Sequence, residues 1–163
     1  MNKFFKIIFP IAIILLGLTV SCGGSDDPAP TPPDTEKPTV TFTKPNASGS
    51  TSYTKGAALD IDATFADNDG LAECKITITY NEATPSAGLK GITDPWKKAT
   101  NGSDPGEHVV TFNGEKSKKV EISQLFNENI ETECKGGSYT LTFDFKDKSG
   151  NEAIEKVDVT IEG

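Results

Sequence analysis

The chain contains no arginine: its 16 basic residues are all lysine, set against 24 acidic ones. It has one histidine (His108), one tryptophan (Trp96) and three cysteines. Each shortage narrows function. Without arginine there is no bidentate clamp for phosphate or carboxylate groups. A formal net charge of -8 repels the phosphate backbone, which proteins bind mainly through Lys and Arg. Nucleic acid is therefore not expected as a partner, while divalent cations remain compatible with the charge. One histidine excludes a two-His metal site, and no G-x-S-x-G elbow occurs. No catalytic and no cofactor-binding residue is assigned, and an enzyme is not expected. Long apolar runs are missing as well. Ile7–Val20 (IIFPIAIILLGLTV) extends over 14 residues, short of the roughly 20 that cross a bilayer.

That run has the size of a signal-peptide core and follows the basic Met1–Lys6 segment. Thr19-Val20-Ser21-Cys22 comes next. This resembles the bacterial lipobox, with Thr19 in place of the usual leucine. The resemblance implies cleavage after Ser21, a diacylglycerol on the Cys22 sulfur and an acyl chain on its new amino group. Residues 1–21 are then a lipoprotein signal peptide, and the membrane is a partner through the lipid. Removing Lys3 and Lys6 leaves 14 lysines against 24 acids, a net charge of 14 − 24 = -10. Residues 22–37 form a tether in which Pro28, Pro30, Pro32 and Pro33 favour an extended polyproline path. Ser25-Asp26-Asp27 resembles the acidic export signal of Bacteroides-type surface lipoproteins; it also reads as plain solvating linker. The expected location is the outer membrane, facing outward.

From Pro38 the pattern becomes period-2 alternation. Leu59, Ile61, Ala63 and Phe65 alternate with polar residues, as do Cys74, Ile76, Ile78 and Tyr80. Tyr139, Leu141, Phe143 and Phe145 repeat the pattern, and Val157, Val159 and Ile161 close the chain. Ile154 is out of phase and predicts a bulge. About seven strands with one apolar face each predict an all-β, immunoglobulin-like antiparallel β-sandwich over 38–163. Asn113-Gly114 predicts a hairpin turn. Ile122, Leu125, Phe126 and Ile130 have helical spacing, so one short helix is expected over Ser123–Ile130, capped by Ser123. Asn81–Glu107 lacks alternation; loops that long commonly carry function.

Residues 34–40 (DTEKPTV), 66–78 (ADNDGLAECKITI) and 136–153 (GGSYTLTFDFKDKSGNEA) are similar to an uncharacterised family of Bacteroides-type lipoproteins with one Ig-like domain. That resemblance implies the fold and supplies no catalytic residue.

Four further candidates carry chemistry. With Cys22 lipidated, Cys74 and Cys134 form an even pair in an exported domain and are expected to join as a disulfide. Asp67, Asp69 and Glu73 surround the DNDG turn, with Asp34 ahead of the first strand and Asp147 and Asn151 in DKSGN. Hard oxygen ligands at strand ends can hold Ca²⁺; Asp, Asn and Gly are equally the best turn formers. Trp96 offers a ring for a sugar or protein ligand, or packs its own loop onto the sandwich. His108 reads as a structural residue at a strand start. The resulting expectation is a lipid-anchored binding or adhesion module for a glycan or protein ligand. The alternative is a structural accessory subunit of an envelope complex.

Overall fold

The computed structural model describes residues 31–46, 51–81 and 94–163. The expected signal peptide, Cys22, most of the expected tether, residues 47–50 and residues 82–93 of the long loop lie outside the described residues.

Alternation in the sequence becomes strands wherever one face is buried. Eight strands are seen among the described residues: β1 (Thr39–Lys44), β2 (Thr51–Thr54), β3 (Ile61–Ala66), β4 (Leu71–Tyr80), β5 (His108–Thr111), β6 (Ser117–Ile122), β7 (Gly137–Asp147) and β8 (Glu152–Glu162). They form two sheets, ordered β1-β3-β6 and β2-β8-β7-β4-β5. All neighbours are antiparallel except β2 and β8, which run parallel. The inward residues of β3, β4, β7 and β8 are the ones the alternation selects: Ile61, Phe65, Cys74, Ile76, Ile78, Leu141, Phe143, Val159 and Ile161 are all buried.

Aromatic rings join the two layers. Phe42 of β1 meets Phe143 of β7 at 4.7 Å, and Phe65 of β3 meets Phe145 of β7 at 5.3 Å. Each fully buried large side chain contributes roughly 1.5–3 kcal/mol of transfer free energy. This two-layer burial is the main source of stability, because a sheet with one apolar face must cover it with another layer.

Four local expectations fail, each for a tertiary reason. The predicted helix over Ser123–Ile130 is a single 3-10 turn at Leu125–Asn127, in which Phe126 and Asn127 adopt positive φ angles of 60° and 57°. Ser123 caps nothing, since the capping position is Gln124 and no side chain bonds there. The segment instead runs beside 56–59. Leu125 N–H donates to Leu59 O at 2.8 Å, Ile130 N–H to Ala57 O at 2.9 Å, and Gly56 N–H to Ile130 O at 2.8 Å. Backbone groups satisfied across that pairing need no helix. Leu125 and Ile130 are still buried, so the apolar spacing identified the right residues on the wrong backbone.

Asn113-Gly114 does not close a hairpin. β5 lies in the five-stranded sheet and β6 in the three-stranded one, so the turn carries the chain between layers. Gly114 has φ +82°, the left-handed conformation that favours glycine. Ile154 creates no bulge either. The β7–β8 register is continuous from Gly137↔Ile161 to Lys146↔Glu152, and Ile154 simply faces outward. Finally, β2 shows no sequence signal. It is four residues long and forms only through its parallel pairing with β8.

Candidate functional site

The two ends of the sandwich differ in chemistry. Along β4 and β7, Leu71 pairs with Asp147 at one end and Tyr80 with Tyr139 at the other. Nine residue steps at about 3.3 Å separate them, roughly 30 Å.

The Tyr139 end carries the described part of the long loop. Residues 94–106 lie against the open edge of β4, beyond the point where β5 stops. Ala99 bridges Ile78, and Thr100 N–H donates to Ile78 O at 2.8 Å. The loop is cross-braced: Trp96 N–H donates to Tyr139 Oη at 3.1 Å, Tyr139 Oη donates to Lys135 O at 2.7 Å, and Lys135 N–H donates to Asp94 O at 2.8 Å. Lys97 N–H donates to Glu131 Oε2 at 3.0 Å, tying the loop to the segment before β7. Lys97 Nζ also pairs with Glu128 at 3.0 Å, while Lys98 Nζ pairs with Asp104 at 2.6 Å. These hydrogen-bonded partners raise the affinity of both lysines for their protons and hold the Glu128 and Asp104 carboxyls below the usual range.

Trp96 lies beneath this loop, not on it. It is 0 % exposed and meets Phe126 edge-on at 5.6 Å. The ligand-contact expectation for Trp96 is therefore corrected: its ring has no free face for a sugar. The left-handed turn at Phe126 explains the burial, because it turns that ring toward Trp96. Above it an open groove of about 670 Å³ is lined by polar and charged groups, including Asp94, Lys97, Asn101, Ser103, Glu131 and Glu133. Sequence reading placed function in this loop and missed Glu131 and Glu133, which reach the groove from the chain before β7. No local signal marks them.

The Asp147 end is acidic. One carboxylate oxygen from each of Asp34, Asp67 and Asp147 lies within 4.8 Å of the others. Asp67 folds the DNDG turn, its Oδ1 accepting from Asp69 N–H at 2.9 Å and Gly70 N–H at 2.6 Å. Its Oδ2 is buried without a hydrogen-bond partner, as is Asp34 Oδ2. Asn151 donates from its backbone and side chain to Asp147, at 2.8 and 2.7 Å. Asn68 donates to Asp34 Oδ1 at 2.9 Å and, with the Glu36 N–H, holds the Asp34 carboxyl below its ordinary value.

Of the cation candidates Asp67, Asp69 and Glu73, only Asp67 is in this group. The turn that Asp67 caps throws Asp69 out to solvent, where its Oδ2 accepts from Ser149 Oγ at 3.3 Å. Glu73 sits within β4 and pairs with Lys146 at 3.4 Å. Both are corrected. Asp34 and Asp147 take their places, brought in by the start of the sandwich and by the β7–β8 turn.

The expected disulfide is absent: Cys74 and Cys134 are free and buried. Cys74 pairs in register with Phe145, whereas Cys134 bonds beside Tyr139 at the other end. The 145 − 139 = 6 steps between them make about 20 Å, and a disulfide needs Cα atoms within about 7 Å. Burial pushes the Cys74 thiol up to about 12, with Asp144 and Glu73 adding to it. Burial also raises Cys134, whose thiol donates to Glu131 O at 3.1 Å. Thiol titration should therefore find Cys74 and Cys134 slow to react in the native domain and both reactive after unfolding. A mass that changes by two hydrogens on reduction would show the bridge after all. His108 lies on edge strand β5 opposite Ile76, and burial alone lowers its pKa. No described residue hydrogen-bonds its ring.

The sequence profile described as domain of unknown function DUF4625 matches residues 20–162. The chain belongs to the DUF4625 family. The match takes in Cys22, the Pro-rich stretch behind it and the whole sandwich. No curated protein matches the DUF4625 chain significantly. Among solved structures it is similar to an AA10 lytic polysaccharide monooxygenase from Streptomyces lividans, at 15% identity and a TM-score of 0.39. That likeness covers 72% of this chain and 62% of the monooxygenase, and it says nothing of activity.

Proposed function

We propose that this DUF4625 protein is a non-enzymatic, lipid-anchored display module of the cell envelope, binding a protein ligand through the groove at the Tyr139 end. The observation that carries this reading is the placement of the two ends. The chain enters the sandwich at Asp34, beside Asp67 and Asp147, and the groove lies roughly 30 Å away along β4 and β7. A module held at one end and grooved at the other presents its loops outward, where recognition commonly sits. The lipobox-like Thr19-Val20-Ser21-Cys22 and the Pro-rich stretch behind it supply the anchor and the spacing. The immunoglobulin-like description is supported by the strand orders: β1-β3-β6 follows the A-B-E order of one immunoglobulin sheet, and β8-β7-β4 follows the G-F-C order of the other.

A protein ligand fits the groove better than a glycan. Among the described residues no aromatic ring lines it, which removes the usual stacking platform for a sugar. Asp94, Glu131 and Glu133 outnumber Lys97, so a partner bearing Lys or Arg complements it. Among the described residues the accessory-subunit reading finds no apolar docking face. The exposed large apolar ones there are Val109 and Ile154, and on the sheet surface Lys75 and Asp144 lie between them.

A photo-crosslinking residue at Asn101 or Ser103, in cells carrying the full chain, should capture a discrete protein. The same residue at Thr64, on the outer face of the other sheet, should not. Glu131→Lys with Glu133→Lys should weaken capture about tenfold or more. Equal capture from both positions would overturn the groove reading, and capture of polysaccharide alone would favour a glycan.

A further inference from the structure

The acidic end calls for a cation. Three carboxylates within 4.8 Å repel one another unless something neutralises them. Yet none of the ion pairs among the described residues includes Asp34, Asp67 or Asp147. The hydrogen-bond donors described around them are already engaged with Asp67 Oδ1, Asp34 Oδ1 and Asp147. Asp67 is 9% exposed, and its Oδ2 has no hydrogen-bond donor from the protein. A buried, unpartnered carboxylate oxygen is costly. Beside two more carboxylates, it is accounted for by a metal ion.

The donor set selects the ion. All three ligands are hard oxygens, and neither His nor Cys is among them, which disfavours zinc and softer metals. Oxygens bound to one Ca²⁺ at about 2.3–2.6 Å lie up to about 5 Å apart, which separations within 4.8 Å allow. Mg²⁺ dehydrates reluctantly and is usually held by one or two carboxylates, so a set of three favours calcium.

We propose that Asp34, Asp67 and Asp147 bind one Ca²⁺ ion, with carbonyls or water completing its shell, and that the ion fastens the start of the sandwich to the turns behind it. The three residues come from three separate places in the chain: the segment before β1, the β3–β4 turn and the end of β7. An ion shared by all three therefore ties the segment before β1 to the β3–β4 turn and the end of β7. The site is independent of the groove, and the crosslinking expectation does not depend on it.

The test uses the full chain in detergent, stripped with EDTA and titrated with CaCl₂ by calorimetry. One ion per chain is expected, with Kd in the roughly 10⁻⁵–10⁻³ M range of extracellular sites. The melting temperature should rise by about 8 °C at a hundredfold excess over Kd. Proteolytic cleavage near Lys37 should slow in parallel. Asp34→Asn and Asp67→Asn retain the Oδ1 acceptors and should each lose at least tenfold in affinity. Asp34 is the half-exposed member, so its variant reports binding even if Asp67→Asn folds poorly. Absence of heat and of any melting shift at millimolar Ca²⁺ would overturn the proposal. Undiminished binding by both variants would do so too. So would stability that rises with falling pH and ignores Ca²⁺, since a shared proton would then fill the gap.

Discussion

Trp96→Ala should destabilise the sandwich by about 3–5 kcal/mol, the cost of emptying a fully buried aromatic site. For a domain of this size the melting temperature should fall by about 10–20 °C. Trp96 heads the fully buried side chains by volume and fills the space between Phe126 and Tyr139. Its loss leaves a cavity under residues 94–106 that the braced loop can close only by giving up its own hydrogen bonds. Trp96→Phe separates ring from polar atom. The indole Nε1 is buried without a partner, so exchanging it for a smaller apolar ring removes an unsatisfied donor while costing some packing. A loss of about 1 kcal/mol or less is expected for that variant. The chain has one tryptophan, so its fluorescence follows this site alone. Unaltered melting of Trp96→Ala would mean that the loop is not packed as described. Because Trp96 is buried and absent from the groove lining, any ligand-binding defect of Trp96→Ala reports a collapsed loop and not a lost sugar contact.

The second large effect concerns location. On the proposed lipid anchor, Cys22→Ala should move the protein from the membrane fraction to the soluble fraction or leave it unprocessed. Each buried methylene contributes roughly 0.8 kcal/mol, and a single acyl chain binds only marginally. Removing the cysteine removes every chain at once, so partitioning should change by far more than tenfold. Melting should stay the same, because the compact unit begins at Pro33. A Cys22→Ala protein that remains membrane-bound at normal size would sink the lipoprotein reading.

Strands with one buried face were legible because side chains in a strand alternate with an exact period of two. β3, β4, β7 and β8 show this, and their inward residues follow from the phase alone. Apolar spacing around Leu125 and Ile130 was legible as burial but not as backbone. A helix and an extended arm paired with 56–59 can bury the same side chains, and only the neighbouring segment decides between them. Asn113-Gly114 shows the same limit. A dipeptide determines the local turn, while the sheets joined by the flanking strands determine whether they pair. The cysteine reasoning failed for a different cause. An even number in an exported domain says that a bridge is favourable, and nothing about whether register leaves the two sulfurs within reach.

The acidic end shows both sides. Asp67 and Asp147 lie in recognisable turn-forming stretches and Asp34 just ahead of the first strand, so the sequence by itself determined that carboxylates would lie at strand ends. It determined as well an all-β, two-layered domain, its inward faces and an acidic surface, all of which are local or additive properties. Tertiary structure alone decided that Asp34 and Asp147 join Asp67 while Asp69 and Glu73 turn away. It alone buried Trp96 and set the two thiols at opposite ends. The reason is physical: periodicity says which way a side chain points relative to its own strand, whereas what it meets depends on strand order and register, which are set by packing between distant segments.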